Sequence, residues 1–170
     1  ERADATLVPM GEPHLQNTLL WLLDPELRRQ VDSLDEPTPE GHAQYWRDRW
    51  CRTDREDYAI LDAAGQHAGN CGLLNIDRRR RKAEAWAYLG MMRGAGLGSS
   101  AVEHLLRHAF DELSLHRVYL RVRADNPAAQ RFWTRLGFQV ECRWRDDTCH
   151  DAGFVDSLWL SMLENEYRAR

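Results

Sequence analysis

The sequence predicts an α/β domain, and three observations carry that prediction. Between residues 58 and 89, three short apolar runs are separated by compact polar connections, the pattern of an antiparallel meander. The third run leads directly into Arg93-Gly94-Ala95-Gly96-Leu97-Gly98-Ser99-Ser100, which opens a stretch of helical periodicity extending through residue 110. Beyond it the order becomes helix, strand, helix, strand.

Each element has its own local signal. Thr6-Leu7-Val8 reads as a first strand. Residues 14–23 place Leu15, Leu19, Leu22 and Leu23 at helical spacing. Asp24-Pro25 ends that helix, and Pro25 suits the first turn of a second, short one. After a loop at 35–39, Thr38 reads as the N-cap and Pro39 as the first residue of a helix carrying Tyr45, Trp46 and Trp50. Strands follow at 58–61, 68–76 and 83–89, joined by a turn at 62–65 and a charged connection at 77–82. The helix after the glycine loop gives way to a strand at 116–122, then to a helix opened by Asn126-Pro127 and closed by Gly137-Phe138. Residues 154–163 alternate as a last strand.

A chain of 170 residues is long enough to bury one real core, and a single domain spanning 1–170 is expected. A net charge of −4 argues against general nucleic-acid or membrane-surface binding. No apolar run is long enough to span a bilayer, and no signal-peptide pattern is read. Cys51, Cys71, Cys142 and Cys149 form no C-x-x-C pair, and Cys142, Cys149 and His150 lack a fourth ligand. Reduced thiols in a cytoplasmic protein without a metal are expected. The run Arg78-Arg79-Arg80-Arg81-Lys82 reads as a solvated hairpin tip, the alternatives being a nucleic-acid patch or a contact to a coenzyme phosphate or acidic partner.

The glycine loop carries chemistry. The order strand, glycine loop, helix points unpaired N–H groups and the positive end of a helix dipole at one spot. Glycines allow positive φ and close approach of an anion, so the expected guest is a pyrophosphate, against the alternative of a tight turn that binds nothing. The spacing is neither the P-loop nor the dinucleotide fingerprint.

With Arg93, Gly96 and Gly98 in that loop, Asn126 and Ala129 at the start of the next helix, and Gly137-Phe138 at its end, the chain resembles the GCN5-related N-acetyltransferase (GNAT) superfamily from about residue 68 onward. The resemblance implies a mixed, mainly antiparallel sheet splayed where its fourth and fifth strands part, with helices on both faces. It implies acetyl-CoA as acyl donor and transfer to an amine. The expected pyrophosphate cradle is Gly94, Gly96, Gly98 and Ser99, with Arg93 adding a charged donor. Asn126 and Phe132 are expected to flank the pantetheine arm, with Asn126 also a helix N-cap. A backbone N–H between Leu89 and Met91 is expected to stabilise the oxyanion.

Glu84 is the first candidate for the catalytic base, acting through water, or else an exposed strand-end charge. His42 is the second, or else a surface helix residue. Asp24 and Asp156 are candidates for acceptor binding only. Many relatives place a tyrosine, the general acid, where this chain has Trp133, whose indole cannot donate a usable proton. Water, Tyr88 or Tyr119 would then serve the thiolate. The elements Trp21-x-x-Asp24-Pro25-Glu26 and Glu40-x-His42-x-x-x-Trp46 resemble a branch of ribosomal-protein, polyamine and amino-sugar acetyltransferases, most of all the last. Trp21, Tyr45, Trp46 and Trp50 either stack on a ligand or pack in the core. The expected partner is a small-molecule amine, with a peptide N-terminus or a catalytically silent CoA-binding role as alternatives, and a homodimer is compatible with the resemblance.

Overall fold

The computed structural model describes residues 3–91 and 94–170, His150 by its backbone alone. Seven strands form one sheet: β1 (Thr6–Pro9), β2 (Glu56–Leu61), β3 (His67–Asp77), β4 (Lys82–Leu89), β5 (Arg117–Arg123), β6 (Gln139–His150) and β7 (Gly153–Leu163). Their spatial order is β1-β2-β3-β4-β5-β7-β6, and every neighbouring pair is antiparallel except β4 with β5. The helices are α1 (Leu15–Leu22), α2 (Pro25–Gln30), α3 (Pro39–Trp50), α4 (Leu97–Arg107), α5 (Pro127–Arg135) and α6 (Glu164–Arg168).

The pleat sends alternate residues of each strand to opposite faces. On β4, Ala83, Ala85, Ala87 and Leu89 face the main core, against the apolar side of α4. Leu97, Val102, Leu105 and Leu106 of that helix are fully buried, each contributing about 1.5–3 kcal/mol of apolar transfer. Glu84, Trp86 and Tyr88 therefore point to the other face, where Trp86 packs on a smaller cluster of Met10, Leu15 and Trp46 from α1, α3 and the segment before them. Helices thus cover both faces.

The Thr38 cap expected from sequence is present, Oγ1 accepting from Gly41 N–H at 3.1 Å. Asp24, read only as a break and an acceptor-binding candidate, also caps a helix, Oδ1 accepting from Glu26 N–H at 2.9 Å. Arg28 donates to the carbonyls of Leu22 and Leu23 at 2.8 and 3.0 Å, satisfying the end of α1. The Trp21–Arg28 element is in this respect a helix–turn–helix brace. Three segments depart from expectation: β6 and α6 were not read from the sequence, and α4 passes into a π-helical turn at His108–Glu112. The extra residue keeps Ala109 and Phe110 buried while His108 reaches Glu56 at 2.6 Å and Glu112 at 2.6 Å.

The basic tip is partly paired with carboxylates. Arg80 pairs with Asp77 and Arg81 with Glu164, both at 3.0 Å. It lies at the start of β4, the end opposite the glycine loop, which places it away from a ligand held by that loop.

Candidate active site

The parallel ladder between β4 and β5 is short. It pairs Lys82 with Arg117, Ala83 with Val118 and Glu84 with Tyr119, and then ends. Beyond it β4 stays with β3 as far as Leu89, and β5 stays with β7 as far as Arg123. The two halves of the sheet separate, leaving a wedge with an unpaired strand edge on each side. At the end of β4, Gly90 N–H and Met91 N–H both donate to the Ala68 carbonyl, at 2.9 and 3.2 Å, a two-on-one bulge. Antiparallel ladders alternate the direction of their amides, so with Gly90 bonded to β3 the N–H of Leu89 faces the wedge. Of the expected oxyanion donors, the Met91 amide is thus engaged by Ala68 and the Leu89 amide is available.

The glycine loop ends against this bulge. Gly96 is the N-cap of α4 in the left-handed region (φ 80°, ψ 2°), and Gly94 also has positive φ, at 88°. No side chain caps α4, whereas α2, α3 and α5 are capped by Asp24, Thr38 and Asn126. Ser100 N–H bonds back to Gly96 at 3.1 Å, and among the described residues the amides of Leu97, Gly98 and Ser99 have no acceptor. A Cβ placed on Gly98 would lie 3.5 Å from Leu89 Cδ1 and 3.6 Å from the Phe132 ring, so the first turn of α4, the end of β4 and α5 converge at one point. Asn126 caps α5 through Oδ1, accepting from Ala129 N–H at 3.1 Å. Arg93 lies outside the described residues.

Trp133 is 5% exposed and packs edge-on against Phe132 and Phe138, at ring distances of 5.1 and 5.2 Å. It is a core residue here.

On the face of β4 away from α4, Glu84 is half-buried at the last rung of the parallel ladder. Burial pushes its carboxyl above the usual carboxylate range, against the opposing effects of an Asn75 hydrogen bond at 3.3 Å and the Arg121 charge. Aromatic rings flank it on both sides. On β4, Trp86 lies 6.1 Å from Trp46 and 6.1 Å from Tyr88. Across the sheet, its rung partner Tyr119 lies 6.0 Å from Trp159, which lies 4.8 Å from Trp144. Arg55 stacks over Trp46 and Trp86 while bonded to Asp57 at 2.7 Å.

His42 is buried, 5% exposed, and not on the surface; burial holds its imidazole below the usual range. Its Nε2 has no partner among the described residues. Asp24 is occupied as a cap, and Asp156 binds Arg143 and Asp146 N–H. Trp21 is neither free nor simply core: a Cβ on Gly90 would fall 1.9 Å from its indole, so the ring lies directly on the bulge. Tyr45 is exposed beneath Arg49, whose guanidinium sits 3.3 Å from the ring centre.

Two networks had no sequence signal. Asp32 accepts from Arg121 at 2.6 Å, Arg123 at 3.1 Å and Thr148 at 2.6 Å, tying the segment after α2 to β5 and β6. Asn70 bridges His67, Thr18 and Tyr88, joining β3, α1 and β4 beneath Trp21.

Comparison with known proteins agrees with this geometry. The family model described as acetyltransferase (GNAT) domain matches residues 5–139. An uncharacterized N-acetyltransferase p20 of Bacillus licheniformis is 32% identical over 109 residues, covering 64% of this chain and 61% of its own. A putative ribosomal N-acetyltransferase of Bacillus subtilis is 30% identical over 121 residues, covering 66% of each. The matched part is thus slightly under two thirds of the length of these relatives. A crystal structure of spermidine N-acetyltransferase from Vibrio cholerae in complex with CoA and spermine superposes with a TM-score of 0.91, at 18% identity, over 97% of this chain and 98% of its own. The chain belongs to the GNAT acetyltransferase family.

Proposed function

We propose that this protein transfers the acetyl group of acetyl-CoA to the primary amine of a small molecule. The observation that carries the reading is the convergence of an uncapped α4 N-terminus with the Leu89 edge of the β4/β5 wedge. The amides of Gly94, Gly96, Gly98 and Ser99, with Arg93, hold the pyrophosphate. The edge of β4 receives the pantetheine arm as an added strand, with Asn126 and Phe132 opposite and Met91 at the mouth. Bound there, acetyl-CoA supplies the activated thioester. The Leu89 N–H stabilises the oxyanion, a contribution of about 3 kcal/mol for one such donor.

Glu84 is the carboxylate of the acceptor groove. Five residues of strand separate it from Leu89, roughly 17 Å, so it draws the ammonium in and exchanges its proton only through water. The thiolate leaves to solvent, a thiol of pKa near 8.5 being a tolerable leaving group.

For the acceptor, one carboxylate between two aromatic walls suits a single amine carried on a ring, and an amino sugar is the reading we favour. The test is thiol release from acetyl-CoA, with product mass, across amino-sugar nucleotides, aminoglycosides, polyamines and Ser- or Ala-starting peptides. Turnover confined to ring amines supports the reading. Turnover confined to polyamines or peptides replaces the acceptor, and no turnover with any amine overturns the transferase.

A further inference from the structure

The network beneath Trp21 contains a histidine set up to take a proton. His67 Nε2 lies 2.8 Å from Asn70 Oδ1. The Asn70 amide is oriented by Thr18, whose Oγ1 spends its proton on the His14 carbonyl at 2.8 Å and so accepts from Asn70 Nδ2 at 3.0 Å; Nδ2 also lies 2.8 Å from Tyr88 Oη. Asn70 Oδ1 can only accept, so His67 carries its proton on Nε2. The neutral ring then presents a bare lone pair at Nδ1. That atom is buried and has no partner among the described residues. A histidine oriented by an amide that is itself anchored by two further groups follows the logic of a catalytic triad.

Its position suits the reaction. His67 precedes Ala68, whose carbonyl holds the Gly90/Met91 bulge, and lies two residues from Gly69, the ladder partner of Leu89. One strand spacing across and two residues along put His67 about 8 Å from Leu89 between Cα atoms, about half the distance from Glu84. Its ring is 4.7 Å from the Trp21 indole, which rests on Gly90.

We propose that His67 Nδ1 is the base that takes the proton of the acceptor amine. This rests on the acetyltransferase reading above. The amine nitrogen bonds the thioester carbonyl carbon, whose π pair passes to oxygen at the Leu89 N–H. The tetrahedral carbon re-forms C=O as the C–S bond breaks, its electron pair leaving on sulfur. His67 accepts the N–H proton, directly or through one water, and the thiolate takes a proton from solvent. Asn70 is a positioning residue.

The titratable groups facing His67 are His14, ring to ring at 4.9 Å, and Tyr88 through Asn70. Burial and then the nearby His67 hold His14 below the usual imidazole range, and burial pushes Tyr88 up to about 12, so neither competes for the proton near neutrality.

The decisive variant is His67→Gln, whose amide keeps a donor for Asn70 and removes the lone pair. Expected are CoA affinity near wild type, a fall in kcat of about 100-fold, and loss of the acidic limb of the pH–rate profile. Glu84→Gln should keep that limb. Retention of kcat and limb in His67→Gln, or loss of the limb in Glu84→Gln instead, overturns the proposal. A second measurement needs no variant: the ¹⁵N spectrum of histidine-labelled wild type should show the neutral His67 ring protonated at Nε2 and bare at Nδ1, and the opposite tautomer overturns the assignment. Wild type that turns over no amine removes the transferase reading and this base with it, whereas a turning-over wild type with an unaffected His67→Gln removes this base alone.

Discussion

Substituting Gly96 by Asp tests the anion cradle, and its size can be worked from the geometry. Gly96 sits at φ 80° beside three amides that have no partner in the helix. An added carboxylate near a bound phosphate repels it by about 1 kcal/mol at 4 Å in water and about 4 kcal/mol at an effective dielectric of 20. A half-open loop lies between those limits, so CoA affinity should fall by about 30- to 150-fold, corresponding to about 2–3 kcal/mol. Folding should change little. The left-handed backbone costs a side chain about 1–2 kcal/mol, and an acid at a helix N-terminus returns about 0.3–1 kcal/mol. A net loss near 1 kcal/mol lowers Tm by about 2–4 °C for a chain of this size. Gly96→Ala separates the two effects, carrying the backbone cost without the charge, and should bind CoA within a few-fold of wild type. Calorimetric titration with CoA at two salt concentrations is the assay, and higher salt should shrink the deficit of the Asp variant. Unaltered affinity in Gly96→Asp would refute the reasoning, because the loop would then be only a turn.

Two further predictions concern pH. Burial raises the Glu84 pKa, so folding stability should decline as pH rises from the ordinary carboxylate value of 4.5 through the raised folded one, and stay reduced above it. Glu84→Gln should therefore melt higher than wild type at pH 7 while its kcat/KM for amines drops at least tenfold; a lower Tm with full activity would contradict both roles. His108 also loses stability as pH rises, for a different reason: burial disfavours its charge, but the carboxylates of Glu112 and Glu56 outweigh that and raise its pKa. Its contribution is fully present below the ordinary value of 6.5 and is lost as pH rises through the folded one, so the Tm difference between wild type and His108→Gln should narrow over that range. A difference independent of pH would show that the π-turn does not depend on the imidazolium.

Elements whose signals are local were legible in the chain. Thr38-Pro39 and Asn126-Pro127 announce helix starts by capping chemistry that needs only neighbouring residues, and the structure places both caps. The glycine loop was legible because positive φ selects glycine at Gly94 and Gly96. Contacts made across the fold left no such trace. His42 sits in a helix whose polarity suggests solvent, yet the fold buries it. Trp133 occupies a position associated with a catalytic tyrosine, but its bulk is absorbed by Phe132 and Phe138. His67, Asn70, Thr18 and Tyr88 come from three elements, and Asp32 meets its arginines 89 and 91 residues away. Pairings at such separations depend on strand register, which alternation alone does not specify. Gly90 is intermediate: a lone glycine after a strand hints at close approach, but the approaching group, Trp21, emerges only when α1 is laid on the sheet.

The central claim is that one ligand occupies the α4 N-terminus and the β4 edge together. Hydrogen–deuterium exchange with and without acetyl-CoA tests it most directly, read at the amides of Leu97, Gly98 and Ser99 and at that of Leu89. The account predicts protection of both sets at the same CoA concentration. Protection of neither, or of the helix amides with Leu89 unchanged at saturation, would contradict it.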